Sequence, residues 1–329
     1  MTETRSLTGK VIAVTGGAGF IGSHLCDSLI ERQPSRLVIV DDFSLGKERN
    51  VEHLRHSRIV EVCRLDASDY EAMHRLFERE RVDVTFNMAI VPLPASLVRP
   101  KDCIDKNILV TSTLCEMLRM GSYETLIHCS SSEAYGSALY VPMDEDHPTR
   151  PITPYAASKV ASDYIALSYH TTFGLDIAVA RPFNSYGPRQ NDETYAAVVP
   201  ITIKRIMMGE QPIIYGDGLQ TRDYTYVEDI AAGISRLYEI TSARGKILNL
   251  ASGREITIKA LVETIANLLG YSGHIVYEKP RPGDVRRHRG DISLARETIG
   301  YSPKTDYITG LKSTIEWYKS IYYSSDSDR

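Results

Sequence analysis

The chain has 329 residues, 43% of them hydrophobic and 24% charged, with a formal net charge of -4 at neutral pH. This is the composition of an ordinary globular protein, long enough to bury one large core or a large and a smaller one. The weak negative charge argues against nucleic acid as the main partner. No apolar run approaches a membrane span, and five cysteines, odd in number and never spaced Cys-x-x-Cys, argue against a disulfide framework or zinc site and for a reducing cytoplasm.

Apolar runs at 11–14, 37–40, 59–65, 82–88, 126–129 and 177–180 read as buried strands. Segments of helical spacing at 21–31, 70–80, 107–120 and 155–172 alternate with them. That order predicts an α/β fold with a doubly wound parallel sheet, a Rossmann architecture with its ligand at the carboxyl ends of the strands. After Arg181 the rhythm loosens through turn-rich stretches at 182–193 and 216–222, then resumes with helices at 227–240 and 256–269. The reading is a dinucleotide-binding domain over 1–182 plus 224–249, interleaved with a smaller C-terminal α/β substrate lobe over 183–223 plus 250–329. Residues 324–329 read as a frayed tail.

The first strand runs straight into Gly16-Gly-Ala-Gly-Phe-Ile-Gly22 and then a helix. Glycines let backbone amides approach a pyrophosphate, and the helix N-terminus favours its charge. Asp41 ends the second strand nineteen positions after Gly22, where a carboxylate accepts from ribose hydroxyls. Asp41 and Asp42 together would repel a 2′-phosphate, which selects NAD over NADP. Asp66, ending the third strand, falls near the adenine. The cofactor-binding set is Gly16, Gly19, Phe20, Ile21, Gly22, Asp41, Asp42, Asp66, Ala67, Met88 and Ala89, with Tyr155 and Lys159 beside the nicotinamide.

Thr153-Pro-Tyr-Ala-Ala-Ser-Lys159 opens a helix, with Thr153 as N-cap, Pro154 at the first position, and Tyr155 and Lys159 four apart on one face. A lysine beside a tyrosine, with a nicotinamide cation near, lowers the phenol from its reference pKa of about 10. Such a tyrosine takes a proton from a hydroxyl while hydride leaves the carbon.

Around these motifs the chain resembles the extended short-chain dehydrogenase/reductase family of NAD-dependent nucleotide-sugar epimerases and dehydratases. The likeness continues through Arg181-Pro-Phe-Asn-Ser-Tyr-Gly-Pro-Arg-Gln190, Gly216-Asp-Gly-Leu-Gln-Thr-Arg-Asp223 and Arg281-Pro-Gly-Asp284. It implies that Ser131 hydrogen-bonds the reacting sugar oxygen, that Asn184 and Arg222 contact the substrate diphosphate, and that Arg281 and Asp284 hold the nucleoside. It also implies a homodimer formed through the helices at 107–120 and 155–172. Asn87-Met-Ala-Ile-Val-Pro departs from the His-Leu-Ala-Ala-like segment of many relatives, in a loop that shapes the sugar pocket.

Reaction class turns on Glu133, two positions after Ser131. A carboxylate beside an oxidised sugar can remove the C5 proton, whereas simple epimerases of the family often have an uncharged residue there. Together with the stretch 135–148, which resembles legionaminate-pathway dehydratases, this points to a nucleotide-sugar 4,6-dehydratase. A UDP-sugar 4-epimerase is the alternative, with a UDP-glucuronate decarboxylase and a non-catalytic NAD-binding sensor behind it. UDP is the favoured nucleotide. The basic cluster Arg281, Arg286, Arg287, His288 and Arg289 is dense enough to hold a phosphate or a patch of nucleic acid. His53 and His56 read as an exposed helix face, and no metal site is expected.

Overall fold

A computed structural model describes residues 4–193, 196–280 and 285–324. Arg281 and Asp284 lie outside the described residues, as do 325–329 of the tail. The first half consists of β1 (Val11–Thr15), α1 (Phe20–Ile30), β2 (Arg36–Asp41), β3 (Val60–Arg64), α2 (Tyr70–Glu80), β4 (Val84–Asn87), a short α3 (Leu93–Ser96), α4 (Pro100–Arg119), β5 (Thr125–Cys129), α5 (Pro154–Phe173) and β6 (Asp176–Pro182). Next come β7 (Asn184–Tyr186), α6 (Val198–Met207), β8 (Ile213–Tyr215), β9 (Thr221–Arg222), β10 (Tyr224–Tyr226), α7 (Val227–Glu239) and β11 (Ile247–Leu250). The chain ends with β12 (Ile256–Thr257), α8 (Ile258–Leu268), β13 (Val276–Glu278), α9 (Ser293–Ile299) and α10 (Tyr307–Ser324).

Seven strands form one parallel sheet in the order β11-β6-β5-β4-β1-β2-β3. Helices cover both faces, so the central strands are apolar throughout rather than alternating. Ile12 and Val14 of β1 point to one face, packed with Leu25 of α1 and Ile234 of α7. Ala13 between them points to the other, with Phe77 of α2, Leu114 of α4 and Ala166 of α5. A third core joins Tyr186, Ile203, Ile214, Leu261 and Ile315. Ile292, Ala295, Ile299 and Tyr301 instead join the core of the first face.

The strand order reverses between β1 and β4, with β2 on the far side of β1 and β5 on the far side of β4. Crossovers leave these neighbours in opposite directions, and the gap at their carboxyl ends is where such sheets bind ligand.

Two sequence expectations need correction. Helix α4 starts at Pro100, not at 107: its first turns are exposed and charged, so the apolar stripe becomes visible only from Asn107. The segment from 256 opens with β12, antiparallel to β9, and Thr257 then caps α8 through Ala260 N at 3.1 Å. In the described part of the basic cluster, Arg286 pairs with Asp217 at 2.8 Å, Arg287 contacts Glu255, His288 is buried, and Arg289 keeps a buried Nε with no hydrogen-bond partner among the described residues.

Candidate active site

A cavity of about 630 Å³ opens at the switch point. The glycine turn borders it through Gly16, Gly19, Phe20, Ile21 and Gly22, and the ends of β2, β3 and β4 through Asp41, Asp42, Asp66, Ala67, Met88 and Ala89. Ser131, Glu133 and Tyr155 lie on the same wall, and Asn184 and Arg222 approach from the later chain. Lys159 stands behind that wall, 2% exposed.

The glycine turn has room for nothing but glycine at two positions. Gly16 has φ +66°, and a Cβ there would come within 2.7 Å of the Met88 and Ala89 backbone. One at Gly22 would lie 2.2 Å from the Gly16 carbonyl. Helix α1 has Gly19 as its N-cap, with no side-chain cap and no acidic residue in its first turn, so its leading amides are left for an anion. These features fit a dinucleotide pyrophosphate.

Asp41 spans the turn and the loop after β2, accepting from Ala18 N at 2.9 Å and Phe43 N at 2.8 Å. Burial raises its pKa, and those two amides oppose the shift. Asp42 and Asp66 are joined by a residue that sequence reasoning missed. Lys106 of α4 reaches Asp42 Oδ2 at 2.7 Å and Asp66 Oδ2 at 3.0 Å. Its only sequence signal was a cation one position before Asn107, and nothing local says that it meets two strand ends.

In the catalytic group, Ser131 caps the 3-10 turn Ser132–Tyr135, its Oγ accepting from Glu133 N at 3.3 Å. Thr153 caps α5 through Ala156 N at 3.1 Å, with Pro154 in the first turn. Tyr155 thereby faces the cavity. One turn on, Lys159 Nζ donates to the Cys129 carbonyl at 2.5 Å. The protein's own groups raise Tyr155 rather than lower it: burial dominates, opposed by a hydrogen bond with Ser131. The positive charge on the nicotinamide of bound NAD would oppose that rise.

On the substrate side, Asn184 Oδ1 is buried with no hydrogen-bond partner among the described residues, as is Oε1 of the cavity-lining Gln190. Both are acceptors turned away from water, a costly state that a ligand donor relieves. Arg222 is 7% exposed and donates to the carbonyls of Thr221 at 2.8 Å and Val285 at 2.7 Å.

A family model described as GDP-mannose 4,6 dehydratase matches residues 13–314. The chain belongs to this family of extended short-chain dehydrogenase/reductases. A putative UDP-glucose 4-epimerase of Methanocaldococcus jannaschii is 35% identical over 94% of this chain and 99% of its own length. The UDP-glucose 4-epimerase of Thermotoga maritima, solved with UDP-glucose, shares 34% identity at a TM-score of 0.89, over 94% of this chain and 99% of that one. A dTDP-glucose 4,6-dehydratase of Streptomyces venezuelae, solved with NAD, shares 27% identity at a TM-score of 0.89, over 94% and 97% of the two chains. The family member described here is an NAD-dependent enzyme that modifies nucleotide-sugars. Among the described residues no helix is long and apolar enough to cross a membrane.

Proposed function

We propose that the enzyme is a nucleotide-sugar 4,6-dehydratase. The observation that carries this reading is Glu133: a carboxylate lining the same cavity as Ser131 and Tyr155, two residues past the serine. NAD, when bound, supplies the hydride acceptor and later the donor. Tyr155 takes the proton of the C4 hydroxyl, with Ser131 hydrogen-bonded to the same sugar oxygen. Once C4 is a ketone the C5 hydrogen is acidic, and Glu133 removes it and returns a proton to the C6 hydroxyl as water departs. Asn184 and Arg222 face the diphosphate, where an amide and a guanidinium offer planar donors. Arg281 and Asp284 complete the nucleoside side, with UDP the favoured nucleotide.

A 4-epimerase is the second reading, supported by the names of the two epimerases above, at 35% and 34% identity. It needs only Ser131, Tyr155 and Lys159, and leaves Glu133 without a role.

The same reading divides the chain into an NAD lobe, 1–182 plus 224–249, and a substrate lobe, 183–223 plus 250–329. The third core around Tyr186, Ile203, Ile214, Leu261 and Ile315 supports it, while Ile292 to Tyr301 pack on the sheet and Tyr224 and Tyr226 join the third core. A homodimer through α4 and α5 is part of the reading: Leu109 of α4 and Tyr164 of α5 are each more than half exposed, apolar surface that a second copy would cover. Five free cysteines suit the reducing cytoplasm.

The test is to incubate the purified protein and NAD with UDP- and GDP-hexoses, N-acetylhexosamines and uronates, following product mass. Loss of one water from a substrate supports the dehydratase. An unchanged mass with a new anomeric proton signal replaces it with the epimerase.

A further inference from the structure

Tyr155, Lys159 and Asp163 follow one another at intervals of four along α5, a single stripe on the helix. The stripe grips the end of β5 residue by residue. Lys159 Nζ donates to the Cys129 carbonyl at 2.5 Å, and the Ser130 hydroxyl donates to Asp163 Oδ2 at 2.6 Å. Ser131 is the next residue. Asp163 Oδ2 also accepts from Arg181 Nη2 of β6 at 2.6 Å. Its other oxygen faces His128 Nε2 at 3.6 Å, and neither of those two atoms has a hydrogen-bond partner among the described residues. His128 Nδ1 meets Asn87 Nδ2 at 3.1 Å, and Asn87 Oδ1 accepts from the Thr15 hydroxyl at 2.8 Å. None of these network residues, from Thr15 to Arg181, is more than 7% exposed apart from the Ser131 that follows them.

The charges in this dry region can be counted. Burial keeps His128 neutral. Burial also raises the thiols facing Lys159, Cys129 to about 11 and Cys103 from α4, so both are uncharged in the working range. Asp163 faces Lys159 from its own helix, Arg181 from β6 and His128 from β5, and Tyr155 precedes the lysine by one turn on the same helix face. Two cations, Lys159 and Arg181, therefore share one anion, Asp163. The surplus positive charge is what a phenolate on Tyr155 would neutralise. Without Asp163, two cations would repel each other in a low dielectric, and the lysine, whose proton is the easier to lose, would give way.

We propose that Asp163 is a positioning residue of the reaction: by pairing with Arg181 and holding Ser130, it keeps Lys159 charged and fixed beneath Tyr155. The proposal rests on the reading of Tyr155 and Lys159 as the proton-transfer pair. It assigns a function to a buried ion pair that is otherwise weak evidence for stability.

The test is the pH profile of kcat for three NAD-loaded variants. Asp163→Asn removes the anion, so Lys159 loses its proton at lower pH: the alkaline limb moves down by about one pH unit, and more than the acid limb, since Tyr155 lies two turns away. Arg181→Met removes the competing cation and moves the alkaline limb up. Asp163→Asn combined with Arg181→Met restores the charge balance and brings the limb back. The last two variants carry the test if the first fails to fold. Limbs that stay fixed while kcat falls uniformly would mean a purely structural ion pair and overturn the proposal, as would movement of the Arg181→Met limb downward. A Tyr155→Phe enzyme with normal turnover would instead remove the underlying reading.

Discussion

Asn107 Nδ2 donates to the Ser158 hydroxyl 2.9 Å away, and Ser158 Oγ donates in turn to the Tyr155 carbonyl at 2.7 Å. The same amide accepts from Val91 N at 2.7 Å and donates to Val91 O at 3.1 Å. One side chain of α4 thus ties the loop after β4 to the first turn of the catalytic helix. Asn107→Ala leaves the part-buried Val91 amide unpaired, at a cost of roughly 1 kcal/mol, while the Val91 carbonyl keeps the Cys103 thiol at 3.3 Å. Because Val91 and its neighbours line the cavity, KM for the nucleotide-sugar should rise together with a lowered Tm. A Tm loss with unchanged KM would confine Asn107 to stability.

Tyr155→Phe keeps the ring and its packing and removes only the proton acceptor. Turnover should fall by about 10² to 10⁴ while NAD remains bound, measured by the NAD released on denaturing the purified variant. Wild-type rates would remove Tyr155 as the base.

Glu133→Gln separates the two reaction classes. In a dehydratase it blocks C5 deprotonation after C4 oxidation has occurred, so bound NADH should accumulate, solvent deuterium should fail to enter at C5, and product should form about 10² to 10⁴ times more slowly. An epimerase needs no C5 base, and its rate would stay close to wild type.

Lys106 neutralises two carboxylates that face the adenosine end of the cofactor cleft. These ion pairs are partly exposed and screened, worth about 0.2–1 kcal/mol. Lys106→Ala should therefore weaken NAD binding only about two- to fivefold, and it should flatten the dependence of the dissociation constant on salt. Calorimetric titration of apoenzyme at two ionic strengths measures both. Tighter NAD binding in the variant would show that the lysine obstructs the cleft.

The parallel sheet was legible because each central strand, buried on both faces, is an unbroken apolar run such as Leu37 to Val40. The glycine turn, Ser131, Glu133 and Tyr155 could be located because each is tied to a local motif at a strand end or helix start. Lys106, Asn107 and Asp163 were not, since their partners lie 64, 51 and 33 positions away along the chain. Nor were the ion pairs of Arg286 and Arg287 visible, because whether an arginine is free or paired depends on acidic residues such as Asp217 and Glu255, brought close only by folding. Spacing placed Tyr155 and Lys159 on one face, but could not say that the lysine spends a proton on the Cys129 carbonyl.

His288 supplies a pH dependence of stability with a definite sign. Its ring is fully buried against Phe183, centroids 5.1 Å apart, and burial, followed by the Arg222 guanidinium, pushes its pKa down to about 3 from 6.5. The folded protein therefore does not take up the proton that the unfolded chain binds below 6.5. This histidine's share of stability is complete above 6.5 and drains away as pH falls toward 3, at about 1.4 kcal/mol per unit. Between pH 7 and 5 that amounts to about 2 kcal/mol. His288→Phe keeps an aromatic ring on Phe183 and cannot titrate, so its stability at pH 7 should lie within about 1.5 kcal/mol of wild type. Its loss on acidification should be smaller by about 2 kcal/mol, seen in urea unfolding at the two pH values. Equal losses in the two proteins would mean that His288 takes up its proton inside the fold.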